Sequence, residues 1–501
     1  MKNGTSSKSR TRSGVLAVAL MMASTAVAPG QSLDPLGYSV ATPRPFSPAE
    51  GTTTPSAQAS QRQNPYLGSV PSKKTGTRLG LSLKSAIERG LRYNLGLIES
   101  SQASADVRAE RLRALSTLLP QLSAAARQGY ENLSYKEIGL KLPPIPGLPS
   151  LPAASGAFGY QDARVSLSQS LYNAELRNHY RARKSDEQAS ALSVQDSRDV
   201  VVFAVGTAYL QVIASAARVE TATAQLASAG ELDQQTANRV KNEVSPEIDS
   251  IRAQVERQSA EQRLTNATNQ LEKDKLTLAR VIGLAIDQEF ELSDSLAYHP
   301  LSGITNETAT AEALRSRADL RSAEASVQAA TFTLRAEKAQ RLPVISLTAD
   351  YGGGGANIGN FNQVYTIAGN ISVPIYTGGR IHADIEQAQA DLARQEAEYE
   401  DLKGRVAYDV RVAWLDLSAS DSSVRVAERN KALAAQALTE SRDRYTNGVT
   451  NYLEVVQAEE TVAAAGENYI ESLFSYDVAM ISFSRAIGGA ETKLQELLGG
   501  K

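Results

Sequence analysis

The chain has 501 residues, with 52 basic against 55 acidic side chains and a formal net charge of −3. No basic block offers a nucleic-acid surface and no acidic tail is present. The absence of cysteine excludes disulfides, thiolate metal sites, cysteine nucleophiles and a lipid anchor attached through cysteine. Aromatics make up only 6%, while Ala, Gln, Ser and Glu fill long segments, a composition suited to long helices with thin apolar stripes.

The first 28 residues read as a secretory signal. Lys2, Lys8, Arg10 and Arg12 precede a small, apolar run at 15–28. Ala26-Val27-Ala28 fits a small-x-small cleavage site, and cleavage after Ala26, behind Ser24, is the alternative. A membrane anchor is the competing reading, but about fourteen apolar residues are short for a core of about 30 Å. No later apolar run is expected to approach that length, so no transmembrane helix is expected in the mature chain. Residues 29–78, rich in Pro, Ser, Thr, Gln and Gly, read as a flexible extension, although "NPYLGSVP" at 64–71 is less random than its surroundings.

The remainder reads as two copies of one unit. At an offset of 205, Arg239, Asn242, Val244, Asp249 and Ala253 match Arg444, Asn447, Val449, Glu454 and Ala458. At the same offset, Ala208-Tyr209-Leu210 matches Ala413-Trp414-Leu415, and Ile282-Gly283 matches Ile487-Gly488. Leu119-Pro120 answers Leu342-Pro343, and "LSQSLYNA" answers "ISVPIYTG". Repeat 1 spans 79–283 and repeat 2 spans 310–488, joined by a linker at 284–309 and followed by a tail at 489–501. Each repeat reads as helix, two strands, long helix, turn and return helix.

Strands are expected at about 119–131, 160–173, 343–352 and 364–377. Three of them alternate with period two. Ala163, Val165, Leu167 and Leu171 oppose Asp162, Arg164, Ser166, Ser168 and Ser170. Ile345, Leu347, Ala349 and Tyr351 oppose Ser346, Thr348 and Asp350, while Tyr365, Ile367, Ile371, Val373 and Ile375 alternate with Thr366, Asn370 and Ser372. The strand at 119–131 alternates poorly. One apolar and one polar face over about ten residues suits a membrane β-barrel with a wet interior. A half-buried sheet in a soluble protein is the alternative. Four strands cannot close around a channel, and open edges are too costly in lipid. A barrel would have to be shared, and three chains would supply twelve strands. Pro/Gly-rich 133–159 and glycine-rich 352–363 are read as strand-joining loops. The glycines at 352–355 precede a strand and so do not fit a phosphate loop.

Residues 174–230 and 378–435 each hold about fifty-five residues without internal proline, roughly 80 Å as helix. Leu264, Leu271 and Leu278 recur at seven with Ala260 and Ala267 between them, a coiled-coil seam. An antiparallel rod without a pore would explain these helices but neither the strands nor the duplication. Turns are expected at 239–250 and 444–455. Gly448 reads as a left-handed helix cap, Ser245-Pro246 as N-cap and first helical residue, and Asn451 with Glu454 as a capping box.

"LPQL" and "LPVI" open the odd strands, "VPIYTGGR" (373–380) joins strand to helix, and "RYTNGVTNYLEVVQAEE" (444–460) forms the second turn. Together with the duplication, these motifs resemble the TolC-like outer-membrane efflux proteins over about 79–488. The resemblance implies a mainly α fold with a small β part. Three chains would build a twelve-stranded transmembrane β-barrel and a helical barrel reaching into the periplasm of a Gram-negative-type bacterium. It implies an exit duct and not an enzyme. The partners would be a homotrimer, outer-membrane lipid, a periplasmic adaptor and an inner-membrane pump of RND, ABC or MFS type. Both helix–helix turns would form a constricted tip. Its acidic ring falls on Glu454 and Asp249. Tyr445, Asn447, Gly448, Val449, Thr450, Gln457, Asn242, Val244 and Ser245 would form the gate and adaptor contact. Thr450 and Gln457 stand where some members carry charges, and Glu243 stands where the turn glycine is usual. Pro374, Tyr376, Gly378 and Gly379 fall on the strand-to-helix junction. No cofactor or metal is expected: His382 and Glu386 at i, i+4 read as a solvated helix face, and Trp414 reads as helix packing. No Gly-x-Ser-x-Gly, zinc or P-loop pattern occurs.

Overall fold

Long runs of good helix formers without proline give two helical hairpins, and four alternating segments give one sheet. The computed structural model describes residues 64–74, 76–135, 154–294, 298, 300, 305–356 and 360–491. The expected signal peptide, most of the extension and most of the tail lie outside them. In chain order the elements are β1 (Leu79–Leu81), α1 (Leu83–Tyr93), α2 (Leu95–Ser116), β2 (Gln121–Glu131), β3 (Phe158–Tyr172), α3 (Ala174–Lys241) and α4 (Glu247–Ile282). They continue with β4 (Phe290–Leu292), α5 (Asn306–Ser316), α6 (Ala318–Ala339), β5 (Val344–Gly355), β6 (Asn362–Ser372), α7 (Arg380–Thr446) and α8 (Tyr452–Ile487).

α3 has 68 residues and α7 has 67, each about 100 Å at 1.5 Å per residue. α3 packs along α4, α7 along α8, and α3 against α8 joins the two hairpins. The lateral order is therefore α4–α3–α8–α7. One core gathers Val201, Val202, Val205 and Tyr209 of α3 with Leu278, Ile282 and Ile481. A second gathers Val406, Val410 and Leu417 of α7 with Tyr476, Met480 and Phe483 of α8, and Trp414 packs at its edge. On α4, Ala260 and Leu278 are buried, and Leu271 packs against the first core.

Several sequence expectations need correction. Residues 200–217 carry no charge, and α3 is long and apolar enough by length and composition to cross a membrane. The run is explained by packing: 56% of its most apolar window is buried against neighbouring helices. Residues 64–74 are not a free extension. Pro65–Leu67 forms a 3₁₀ turn, and the Tyr66 hydroxyl lies 3.1 Å from Ser197 Oγ. The Val70 and Ser72 amides donate to the Tyr93 and Gly283 carbonyls. Tyr66 lies over Gly96, where a Cβ would come within 2.5 Å of its ring. The residues read as a linker at 284–309 include β4, which pairs in parallel with β1, and the start of α5. The helices expected before β2 and before β5 are each broken in two, at Asn94 and at Arg317, whose ψ angles of 130 and 126 leave the helical region. Buried Asn94 accepts from the Leu97 amide and donates to the Tyr66 carbonyl.

The sheet is antiparallel in the order β2-β3-β5-β6, leaving β2 and β6 as edges. The registers align Leu122, Ala124 and Ala126 with Leu167, Val165 and Ala163, and these with Ala349 and Tyr351. Ile367, Tyr365 and Ile371 continue the same face on β6. Leu122, Tyr351, Tyr365, Ile367 and Ile371 are all more than half exposed. No charged side chain lies on this face among the described residues. The opposite face carries Ser123, Arg127, Asp162, Arg164, Ser166, Asp350 and Thr366.

Two boundaries differ from expectation. β6 ends at Ser372, because its partner β5 begins at Val344 and Pro374 has no amide to donate. The glycines at 352–355 belong to β5, paired with 161–164. Their missing side chains admit neighbours: a Cβ on Gly353 would meet the Phe361 ring at 2.1 Å. Of the loop after β2, residues 136–153 lie outside the described set, while Ser134 and Ala154 form a bridge at its base.

Candidate functional site

Both hairpins turn at the end remote from the sheet, and the turns share one backbone solution. After α7, the Gly448 amide donates to the Tyr445 carbonyl and the Val449 amide to Arg444 at 2.8 Å. After α3, Glu243 donates to Val240 and Val244 to Arg239 at 2.9 Å. This is the paired closure of a Schellman cap, which needs a left-handed residue at its centre. Gly448 has φ +74, and Glu243 adopts φ +58, the one positive φ outside glycine among the described residues. A left-handed L-residue is strained by about 1–2 kcal/mol. Glu243→Gly is accordingly expected to raise stability by about 1 kcal/mol, measured as a higher Tm of the purified protein. An unchanged or lower Tm contradicts the strain.

Asn242 and Asn447 are the residues at which α3 and α7 end, donating to the Asn238 and Asp443 carbonyls. Val244 and Val449 are exposed. Ser245 is not the N-cap of α4. Pro246 holds that place without a side-chain bond, and Ser245 Oγ accepts from Arg239 Nε at 3.2 Å. The competing arginine draws the hydroxyl away from the helix start. Asn451 does cap α8, accepting from the Glu454 amide at 3.3 Å. The Glu454 carboxylate does not complete a capping box. It takes the Thr450 hydroxyl and pairs with Arg444 Nη1 at 3.0 Å. Asp249, its counterpart, is buried at 8% exposure and has Arg252 Nη1 at 3.7 Å. The two acids thus have separate partners. Gln457 is exposed.

Beneath the turns, Leu232, Ala253, Tyr445, Tyr452 and Val455 form a small core. The Tyr445 and Tyr452 rings meet edge to face at 5.7 Å, and their hydroxyls have no hydrogen-bond partner among the described residues. Burial raises the Tyr452 phenol pKa, with Glu459 and Glu256 nearby adding to the effect. Arg239 reaches across from the first hairpin to the second. Its guanidinium lies 4.7 Å from the Tyr445 ring centroid, and Nη1 donates to the Thr446 carbonyl at 3.5 Å. Two further ties follow along the helices. Arg442 of α7 bonds Ser228 of α3 and Glu459 of α8, the latter at 2.7 Å. Arg218 of α3 pairs with Glu467 and Glu471 of α8 at 2.6 and 2.7 Å.

At the other end, Gly378 and Gly379 lie at φ +63 and +88, and Gly379 starts α7 with its carbonyl. Tyr376 is 89% exposed. At the start of α3 Asn173 does this work with its side chain, accepting from the Leu176 amide at 2.9 Å. His382 and Glu386 form an exposed i, i+4 pair at 3.3 Å.

A family model described as "Outer membrane efflux protein" matches residues 90–284 and 309–489. The chain belongs to the outer membrane efflux protein family. BepC, the outer membrane efflux protein of Brucella suis biovar 1, is 24% identical over 325 residues, covering 64% of this chain and 70% of that protein. A membrane protein from Pseudomonas aeruginosa superposes with a TM-score of 0.71 at 20% identity, over 81% of this chain and 93% of its own. VceC, an outer membrane protein of Vibrio cholerae, superposes at 0.67 with 20% identity, over 81% and 96%. These likenesses fix the fold. The arginine ties join one hairpin to the other, and their arginines were not among the candidate site residues that the sequence motifs singled out. Arg239 and Arg444 stand at matching places before the two turns, each carbonyl accepting from the turn valine's amide, yet Arg444 stays within its hairpin and Arg239 crosses to the other. Only the packing of the two hairpins distinguishes them.

Proposed function

We propose that three copies of this chain close their sheets into a twelve-stranded β-barrel in the outer membrane and their helices into a periplasmic tunnel. The assembly serves as the exit duct of a tripartite efflux or type I secretion system, loaded by a periplasmic adaptor and an inner-membrane pump. In this reading residues 1–28 are the signal peptide, and 79–283 and 310–488 form a twofold internal repeat. The observation that carries it is the sheet: one face without charge, one polar face, and two unpaired edges, β2 and β6. Lipid tolerates only closed sheets, and joining β6 of one copy to β2 of the next closes the ring. A coiled-coil protein without a pore has no use for an exposed face carrying Leu122, Tyr351, Ile367 and Ile371.

The far turns form the tunnel entrance, with Glu454 and Asp249 as its acids and Tyr445, Thr450 and the valines around them as gate and adaptor contact. Purified protein is expected to run as a heat-modifiable trimer and to conduct in planar bilayers. Multivalent cations added from the entrance side should block the current, and Glu454→Gln should weaken that block several-fold because like charges converging in a pore bind cations. A monomer that never conducts refutes the channel. Unchanged block in a conducting Glu454→Gln trimer refutes the placement of Glu454 alone.

A further inference from the structure

The polar face of the sheet carries more than wetting residues. Arg164 Nε and Nη2 bond Asp162 Oδ2 at 2.8 and 2.6 Å, two residues away on the same strand. The register sets Arg164 between Ala125 and Gly352, and Asp162 between Arg127 and Gly354. Ala125, Gly352 and Gly354 leave room for the charged pair. A Cβ on Gly352 would lie 2.1 Å from the Ala163 carbonyl oxygen and 2.9 Å from Arg164 Cγ. The glycine run that looked like a loop is therefore the bed on which Arg164 lies. One step along, Asp350 accepts from Ser166 Oγ at 2.6 Å. Two arginines and two aspartates thus occupy three adjacent levels of one face, whose reverse carries no charge among the described residues.

We propose that Arg127, Asp162 and Arg164 form a charge-selective ring inside the barrel, discriminating among permeant ions and charged cargo independently of the tunnel entrance. This rests on the channel reading above. Twelve strands enclose a backbone diameter of about 24 Å. Side chains reaching inward then stand within about one Debye length, about 8–10 Å, of any passing ion. Asp162 pairs with Arg164 and lies opposite Arg127, and Asp350 one level beyond Arg164 brings these three levels to two positive and two negative charges per chain. Removing one partner exposes the other's charge three times per trimer.

The test is the K⁺/Cl⁻ permeability ratio of full-length trimers in planar bilayers, read from reversal potentials in a KCl gradient near 0.1 M. Arg164→Gln frees Asp162 and should raise the ratio about two- to fourfold. Asp162→Asn leaves two arginines against Asp350 alone and should lower it by a similar factor. Arg127→Gln, at an exposed position, should also raise it, and it serves should Arg164→Gln fail to assemble. All shifts should shrink near 1 M salt, where the Debye length is about 3 Å. Conducting variants with the wild-type ratio overturn the ring and leave the channel standing. A wild-type protein that forms no pore overturns both.

Discussion

Asp477→Asn is expected to stabilise the protein, and by more as pH rises. Asp477 lies on α8 at 5% exposure, between Tyr476 and Met480 of one core and Val478 and Ile481 of the other. Burial alone pushes its pKa from 3.8 up to about 7, with no charged neighbour contributing. The folded state therefore holds a proton that the unfolded chain releases. Below about pH 4 both states are protonated and the acid carries no penalty. Between about 4 and 7 the folded state binds more protons, so stability falls as pH rises. Above about 7 the loss levels off at an upper bound of about 4 kcal/mol, which relaxation around the carboxylate reduces. Asp196 and Asp199 are raised by burial too, so the wild-type slope has several sources. Thermal melts across this range should show the Asn variant gaining about 1–3 kcal/mol at neutral pH and little near pH 4. Parallel melting curves for the two proteins would rule out an uncompensated acid at this position.

The sequence carried the long helices and the hairpin turns because their signals are local. Proline-free runs of good helix formers continue until a left-handed residue or an Asn cap stops them. Three strands were legible from alternation, and β2 was harder because Ala124, Ala125 and Ala126 have no contrast between faces. What stayed hidden was non-local. Glycines at 352–355 resemble a loop until Arg164 and Phe361 are seen lying against them. Residues 64–74 resemble linker because their anchors, Tyr93, Asn94, Ser197 and Gly283, are scattered along the chain. The apolar run at 200–217 was passed over because small residues interrupt it, and Gly206 is one of them, in contact range of Ile481. At the turns, residue types pointed to Glu454 and Tyr445. They could not show that Thr450 serves Glu454, or that Ser245 serves Arg239 and not the helix start.

That last contact bears on how the entrance is held closed. In the channel reading Thr450 brings no charge to the gate, so another group must join the two hairpins there. Arg239 is placed to do so. It stacks on Tyr445, holds Ser245 on its own side and donates to the Thr446 carbonyl at the C-terminus of α7, where the helix dipole favours a cation. Arg239→Ala removes all three contacts, which together are worth about 1–3 kcal/mol per chain. Each 1.4 kcal/mol corresponds to about tenfold in the open population, so the open probability in single-channel records should rise several-fold or more. Arg239→Lys keeps the charge without the planar stack and should fall between. Arg444→Ala frees Glu454 but leaves the cross-hairpin contacts, so it should change cation block without opening the channel. The Arg442–Ser228–Glu459 tie is the competing holder. If Arg239→Ala conducts like the wild type while Arg442→Ala opens the pore, the closure resides in that deeper tie.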